Sequence, residues 1–411
     1  MHVPGRRQGG RVIVLDSGGG YVRAGLSTDA GPSVIEPNCT AVATGKRGTP
    51  LARGSEVLDL PSYALYRPTQ RGLLLDAAHQ QAIWEFVINE RLSIDPRECA
   101  VMVTEAPFTP AFVRREVEEM LFETFGFREV CVATSSALAL HSPGIQAQLN
   151  PKNPCGTILD VGFSSSISMP CLESQPIHHA GLRLNVGSRV LTNLMLERLR
   201  LRHYDIAGNW LLAEDILTKL GEISPDFEAD LGANFERVLP KTFVLPDFKS
   251  HMRGFVEPQD TSCSVQQDLQ RVTLRAERVV VPEALFSPKD HGIPQMGVAE
   301  LVRQSILGVG DDICQQHLGQ VILCGGMARL PHFRGRLRRE LRQLLPAAWP
   351  VSVVVEEEPE LSVWRGAAQL AQRPDFRQEN FRSQRAWAEV GAGAEGSRST
   401  KRKAYHSALE P

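Results

Sequence analysis

A carboxylate followed by a run of glycines stands near the start of the chain. An apolar run ends in Asp16, and Gly18, Gly19 and Gly20 follow before apolar and polar residues alternate again. Glycine lets backbone N–H groups approach an anion closely, so such a turn can hold phosphate oxygens, with Asp16 as a ligand for hydrated Mg²⁺. This segment alone leaves open the alternative of a tight hairpin turn without a ligand.

The same pattern occurs a second time in the middle of the chain. Another apolar run ends in Asp160, and Gly162 and a series of small residues follow it. A third apolar run leads directly into Gly325 and Gly326, either as a further approach of the backbone to a nucleotide or as a tight turn before a helix. Repetition of the first pattern predicts a duplicated fold in which each half presents one hairpin to a shared cleft.

The segments around these turns alternate between strand and helix periodicity, which predicts an α/β core. Asp76 is a plausible N-cap for a helix that continues to Arg91, and Thr109 with Pro110 predicts the start of another. Further helices are predicted at Ser188 to Arg202, Leu211 to Leu220, Val298 to Leu307, His332 to Leu345 and from Ser362. Strands are predicted at 101–104, 130–133, 321–324 and 351–355, and residues 235–272 have no clear periodicity.

The composition is that of a globular protein of more than one domain. The 411 residues are 42% hydrophobic with a net charge of −2, so neither a strongly basic nucleic-acid binder nor a membrane span is predicted. Eight cysteines occur singly without any Cys-x-x-Cys, which indicates reduced thiols and no zinc site. The N-terminus lacks the apolar core of a signal peptide, and a cytosolic or nuclear protein is expected.

Three segments differ from the α/β pattern. Pro37 to Pro68 is rich in small and turn residues and predicts a small, loop-dominated excursion. Arg382 to Pro411 loses periodicity and is predicted to be disordered, with a short basic run at 401–403 that is either a nuclear import signal or a solvated tail. The helix at His332 to Leu345 carries a row of arginines that is either a solvated face or a site for acidic partners.

Taken in order, the motifs resemble those of actin and the actin-related proteins over residues 12–372. They are the two strand-Asp-x-Gly hairpins, Thr104 to Pro107, Phe122 to Phe125, Gly325-Gly326 and Ser362 to Trp364. The resemblance implies the actin-like ATPase fold, with two α/β lobes around a nucleotide cleft.

The same resemblance implies the domain boundaries. The first lobe would comprise residues 11–147 and 361–381 and carry residues 37–68 as a small outer subdomain. The second lobe would comprise residues 148–360, with an outer subdomain at about 187–283. The resemblance also implies that the excursion at 37–68 is too short to carry the loop that inserts between subunits of an actin filament.

Within this family, several segments resemble a nuclear subgroup more than actin itself. They are Arg183 to Gly187, Leu191 to Asn193, Phe243 to Phe248, Arg253 to Phe255 and Leu274 to Phe286. Members of that subgroup are subunits of Swr/SRCAP-type chromatin remodellers, which exchange a variant histone. The implied partners are a Snf2-type ATPase and a HIT-type zinc-finger subunit, with histones contacted indirectly, and the implied location is the nucleus.

Actin's phosphate contacts carry over to this chain only in part. Asp16, Gly18 and Gly20 match the first phosphate loop, and Asp160 with Gly162 matches the second. Gly19 extends the first loop, Gly325 and Gly326 form the third turn, and Arg23 replaces actin's phosphate-binding lysine. An arginine keeps the charge but is planar and bulkier than lysine. The implied ligand is ATP or ADP with Mg²⁺.

Other positions depart from actin in ways that affect hydrolysis and base binding. Ser135 replaces the glutamine that orients water, and Phe163 and Ile167 replace the second-loop aspartate and the histidine. Such groups contribute orders of magnitude to rate. Leu217 and Thr218 replace the lysine and glutamate of the adenine pocket.

These departures predict a non-catalytic structural adaptor that binds nucleotide weakly or as a structural ligand, if at all. The alternative is an active ATPase, either a filament-forming actin-like protein or a small-molecule kinase on the same fold. The short excursion and the altered hydrolytic positions argue against filaments, and no further aspartate can be placed in the cleft for a kinase.

Overall fold

The computed structural model describes residues 10–42, 50, 52–59, 64–149, 155–172, 175–206, 209–258, 269–310 and 318–391. In chain order, the strands of these residues are β1 (Val12–Ser17), β2 (Tyr21–Leu26), β3 (Val34–Pro37), β4 (Thr40–Val42), β5 (Ala52–Arg53), β6 (Ala64–Tyr66), β7 (Thr69–Gln70), β8 (Leu73–Leu74), β9 (Ala100–Glu105), β10 (Glu129–Thr134), β11 (Gly156–Val161), β12 (Ser166–Leu172), β13 (Gln175–Pro176), β14 (Leu182–Leu184), β15 (Lys241–Val244), β16 (Phe255–Val256), β17 (Arg271–Leu274), β18 (Gln320–Cys324), β19 (Ser352–Val354) and β20 (Arg382–Ser383).

The helices of the same residues are α1 (Ala77–Glu85), α2 (Ala111–Glu119), α3 (Ser135–Ala139), α4 (Pro143–Gln146), α5 (Ser188–Arg202), α6 (Trp210–Leu220), α7 (Phe227–Gly232), α8 (Glu277–Glu283), α9 (Val298–Leu307), α10 (Phe333–Leu344), α11 (Ser362–Ala371), α12 (Pro374–Asn380) and α13 (Gln384–Gly391). Helices α1 and α2 each continue into a short π-helix, at Phe86–Arg91 and Met120–Thr124.

Two mixed sheets form the two halves of the molecule. The first has the strand order β20-β10-β9-β1-β2-β3, and the second has the order β13-β12-β11-β18-β19, with β14 also paired to β12. In each sheet an antiparallel hairpin, β1-β2 or β11-β12, lies beside a parallel strand, β9 or β18. This repeated arrangement confirms the predicted α/β class.

A helical layer packs between the two sheets. Helix α11 buries Trp364, whose indole Nε1 donates a hydrogen bond of 3.2 Å to the carbonyl oxygen of Val14 in β1. Gly366 faces α3 so closely that a Cβ would lie 1.8 Å from the Leu138 carbonyl oxygen. The apolar core around Trp364 includes residues of both sheets, such as Met102 and Ile158, and therefore joins the two halves.

Several helix predictions are confirmed at their ends and faces. Asp76 is the N-cap of α1, where its carboxylate accepts a hydrogen bond from the His79 amide. For α10, helical periodicity predicts a buried face of Phe333, Leu337 and Leu341, and the structure confirms it. On its exposed side, Arg334 donates to the Val353 carbonyl oxygen of β19.

Other predictions are wrong in detail. Thr109 does not cap α2, because Pro110 occupies the N-cap and the Thr109 hydroxyl donates to the Ala106 carbonyl oxygen instead. Helical periodicity predicts Leu201 on the apolar face of α5, but its side chain is 71% exposed, since Met195 and Leu199 fill that face.

The predicted disorder from Arg382 onward is also wrong for its first ten residues. Ser383 in β20 pairs with Glu129 in β10, and the helix that follows buries Trp387. The Trp387 ring stacks on Phe122 with 5.4 Å between centroids. One aromatic anchor thus orders a segment of low periodicity, while residues 392–411 lie outside the described part of the chain.

The segment predicted as a loop-dominated excursion contains a small sheet with the strand order β5-β4-β6, followed by the pair β7-β8. The segment without clear periodicity, 235–272, contains β15, β16 and the start of β17, which pair into a three-stranded sheet. Cys39, Cys99, Cys131, Cys171 and Cys324 are free thiols, as predicted, and Cys263 and Cys314 lie outside the described residues.

Candidate nucleotide cleft

The first hairpin holds its carboxylate in a fixed ion pair. Asp16 and Arg23 are register partners across β1 and β2, and the Arg23 guanidinium lies 3.2 Å from Asp16 Oδ2. The Thr104 hydroxyl at the end of β9 donates a hydrogen bond of 2.7 Å to Asp16 Oδ1. Both carboxylate oxygens are therefore engaged by protein groups, so a hydrated metal ion at Asp16 must compete with a nearly buried arginine.

The second hairpin leaves its carboxylate in a different environment. No described side chain donates a hydrogen bond to Asp160, and the Asp160 Oδ1 atom lies against the backbone of Gly325, where a Cβ would be 2.5 Å from it. The pKa of the Asp160 carboxyl is raised to about 6, chiefly by burial and also by the nearby Asp16 carboxylate, while Arg23 opposes the shift. At neutral pH Asp160 is therefore ionised in an environment that disfavours its negative charge.

The glycines of both hairpins form turns as the sequence predicts. The Gly18 amide donates to the Tyr21 carbonyl oxygen at 3.0 Å, and the Gly162 amide donates to Ser165 at 3.1 Å. Gly325 has a φ of +91°, which favours glycine, and it begins the turn that follows β18. Phosphate binding by these turns stays a prediction.

The two hairpins touch each other directly. A Cβ on Gly20 would lie 2.9 Å from the Phe163 ring, and a Cβ on Gly19 would lie 2.5 Å from the Ser164 hydroxyl. The glycines of the first loop thus make room for side chains of the second loop. Phe163, at the position where actin has an aspartate, is the apolar contact between the two loops.

Arg67 connects both hairpins to the second half of the molecule. Its guanidinium donates to the carbonyl oxygens of Gly19 and Gly20, at 3.3 and 2.8 Å, and lies 4.3 Å from the centroid of the Phe163 ring. It also forms an ion pair of 3.3 Å with Glu214 of α6, and both side chains are less than 10% exposed. We refer to Arg67, Phe163 and Glu214 as the cross-cleft cluster.

A cavity of about 360 Å³ remains between the hairpins and α6. Its lining includes every predicted cofactor-binding residue, namely Asp16, Gly18, Gly19, Gly20, Arg23, Asp160, Gly162, Gly325 and Gly326. The structure therefore brings all of the predicted residues together. This volume is near the lower end of the range for ligand pockets.

The residues that replace actin's hydrolytic and adenine-pocket side chains lie in different environments. Ser135 and Thr218 line the cavity, and Ile167 lines it with a nearly buried side chain. Leu217, which was aligned with the adenine pocket, is instead fully buried in the core of the second half. Glu214 and Thr218, which are four residues apart on α6, face the cleft.

Sequence reasoning missed three polar residues of the cleft, Arg67, Thr104 and Glu214. Burial raises the pKa of Glu214, and Arg67 opposes that effect. The only sequence signal for Glu214 is a carboxylate among the apolar residues of a helix. Arg67 has no such signal, because its partners lie far away in the chain.

The described residues offer little for a metal beyond the two aspartates. No group of three or more His, Cys, Asp or Glu side chains among them is arranged to hold a metal ion. No helix in the described ranges is both long and apolar enough to cross a membrane.

Two α/β halves whose strand-Asp-x-Gly hairpins face one cleft define the actin-like ATPase fold. The actin family profile matches residues 8–398, and this chain belongs to the actin family. It is 31% identical over 408 residues to actin-related protein 6 of Oryza sativa subsp. indica, covering 90% of this chain and 94% of that protein. It is 32% identical to actin-related protein 6 of Arabidopsis thaliana, over 89% and 94% of the two chains. Identity to actin-related protein 6 of Drosophila melanogaster is 27%, over the same shares.

Proposed function

We propose that this protein is a non-catalytic structural adaptor in a nuclear, Swr/SRCAP-type complex that exchanges a variant histone. Its similarity to actin-related protein 6 of plants and of Drosophila supports the assignment to this subgroup. The motor of this complex would be a separate Snf2-type ATPase, and a HIT-type zinc-finger subunit would be a further partner. Histones would be contacted only through these subunits.

The observation that carries the non-catalytic role is the apolar contact between the two hairpins. Hydrolysis needs a group that orients water and a polar site around the transferred phosphoryl group. Phe163 stands there with its ring against Gly20 and the Arg67 guanidinium, and Ser135 is too short to replace a glutamine. The Asp16 carboxylate is paired with Arg23 and Thr104, so a metal ion there would compete with the Arg23 guanidinium.

ATP or ADP would act as a structural ligand if it binds. Arg23 and the turns at Gly18, Gly162 and Gly325 would face its phosphates, while Thr218 and Glu214 would face its remaining part. A ligand that binds only the folded cleft stabilises it by mass action and needs no turnover. The engaged Asp16 carboxylate predicts that Mg²⁺ adds little to this affinity.

Turnover is tested on the purified full chain after its bound nucleotide has been extracted and quantified. We expect no multiple-turnover release of phosphate from ATP with Mg²⁺. Asp160→Ala is the test variant, and Asp375→Ala, which removes an exposed acid outside the cleft, is the matched control. Sustained hydrolysis that is lost in Asp160→Ala and kept in Asp375→Ala would refute the adaptor proposal and favour the active ATPase.

Partner binding is tested by quantitative purification of the tagged chain from nuclear extract. We expect a Snf2-type ATPase and a HIT-type zinc-finger protein to co-purify in fixed proportion to it. Sedimentation with ATP and Mg²⁺ addresses the alternative of a filament. A pellet with a sharp critical concentration, without those partners, would contradict the proposal.

A further inference from the structure

A second cavity, larger than the nucleotide cleft, lies on the other side of Arg67. Its volume is about 490 Å³, and the segment around β6 and β7 forms one wall while α5 and the start of α6 form the other. The residues that matter here are Tyr66, Arg67, Leu75, Arg189, Asn193 and Trp210. We call this space the outer cavity, and it bridges the two halves of the molecule.

The side chains of the outer cavity are of the types that anchor protein partners. Tryptophan, tyrosine and arginine dominate the binding energy of interfaces. Tyr66 is 37% exposed and Leu75 38% exposed, although both are large side chains that line the outer cavity. The Trp210 indole is held in place by a hydrogen bond of 3.0 Å from Nε1 to Asn193 Oδ1.

The charge of the outer cavity determines which partner it fits. Among the described residues that line it are two arginines and no carboxylate. Glu214 neutralises Arg67 from the cleft side, but Arg189 is exposed and forms no ion pair with any described residue. An acidic group that binds here thus meets one uncompensated cation beside an aromatic surface.

We propose that the outer cavity binds an extended segment of a partner subunit in which aromatic or aliphatic anchors alternate with carboxylates. The anchors pack on Trp210, Leu75 and Tyr66, and a carboxylate pairs with Arg189. Because Arg67 lines the outer cavity and pairs with Glu214 of the nucleotide cleft, a segment bound here contacts both halves and holds them together. This inference rests on the proposed adaptor function and names the surface that would perform it.

The test measures fluorescence polarisation of the full chain with labelled synthetic peptides. The acidic probe repeats Glu-Phe-Asp-Leu, and its uncharged counterpart repeats Gln-Phe-Asn-Leu. We expect the acidic peptide to bind at least about tenfold more tightly, a difference within the range of a good interface contact. Equal binding of the two peptides would overturn the inference, as would a DNA duplex that competes better than the unlabelled acidic peptide.

The variant Arg189→Glu should weaken binding of the acidic peptide by about tenfold or more and should create binding of a Lys-Phe-Lys-Leu repeat. Arg198→Glu is the matched control, because it makes the same charge change on the same helix at an exposed position outside the outer cavity. We expect less than about a twofold effect from it. Equal loss in both variants would show that net charge, not the outer cavity, governs binding.

The same variants separate this inference from the proposed function. Arg189→Glu should release the Snf2-type ATPase or the zinc-finger subunit in co-purification, while Arg198→Glu retains both. If Arg189→Glu keeps all partners, the docking site is wrong and the adaptor role stands. If the wild-type chain captures no such partner, the adaptor role itself fails.

Discussion

The two hairpins have the same backbone pattern and opposite electrostatic environments. Asp16 accepts hydrogen bonds from a cation and a hydroxyl, whereas Asp160 faces no cation closely and has a raised pKa. The first loop supplies bare glycine backbone, and the second supplies Phe163 and Ser164, which cover it. The first hairpin therefore holds a charged pair, whereas the second hairpin packs its side chains against the first.

The largest expected effect comes from removing the charge of the first hairpin. Asp16→Asn leaves the nearly buried Arg23 guanidinium without its counterion, which should cost about 4 kcal/mol of unfolding free energy. Urea denaturation of the full chain measures this loss. Asp375→Asn, at an exposed pair with Arg373, should change stability far less, because solvent screens that pair. Equal effects of the two variants would mean that the Asp16 pair is not a buried one.

The cross-cleft cluster should be the next most sensitive feature. Arg67→Ala removes the cation between the hairpins and leaves Glu214 buried without a partner, at a cost of about 3 kcal/mol. The cost is below that of Asp16→Asn because the pKa of Glu214 is already raised and the carboxyl can take up a proton. Amide hydrogen exchange should become faster at residues 18–20 and 163–165.

Arg329→Ala is the control for Arg67→Ala, because it removes a more exposed arginine that pairs with Glu360 in the same cleft. Exchange at the hairpins should not change in this variant. Faster exchange in both would show that the hairpins respond to any loss of positive charge in the cleft.

The close contact of the loops predicts a difference between two glycine substitutions. In Gly20→Ala the new methyl group meets the Phe163 ring and its Cβ, which belong to a packed side chain, and stability should fall by about 2 kcal/mol. In Gly162→Ala the nearest atom would be 3.5 Å away, an ordinary contact, so the effect should be small. Thermal unfolding monitored by calorimetry distinguishes them. If Gly162→Ala costs as much, the two loops are equally crowded.

The smallest expected effect concerns the pH dependence of Asp160. Its folded-state pKa of about 6 lies above the ordinary value of 3.8, so ionisation of Asp160 lowers the folding stability progressively between about pH 4 and pH 6, and the full loss applies at higher pH. Asp160→Asn should therefore be more stable than wild type by about 1 kcal/mol at pH 7, since the cleft still admits water. The advantage should disappear as the pH falls to about 4. An advantage that grows on acidification would contradict the assigned direction of the pKa shift.

Local chemistry was enough to predict much of this fold. Some features depend only on residues close together in the sequence, so a short segment is enough to predict them. These are the strand-Asp-x-Gly hairpins, the Asp76 cap and the glycine after β18. The apolar face of α10 follows from helical period alone. Predictions failed where a contact with a residue distant in sequence determines the local structure. The sequence predicts disorder from Arg382 onward, but the Trp387 ring stacks on Phe122 and orders the segment.

The amino-acid sequence is sufficient to indicate the family, the two hairpins and the residues that line the cleft. The contacts that those residues make with one another follow from the folded structure. Arg67 and Glu214 are 147 positions apart, and Phe163 reaches Gly20 across the space between two sheets. Contacts of this range depend on how the two halves close. Local sequence preferences therefore predict the cleft. Packing between residues distant in sequence explains why the side chains of Phe163 and Arg67 fill part of it.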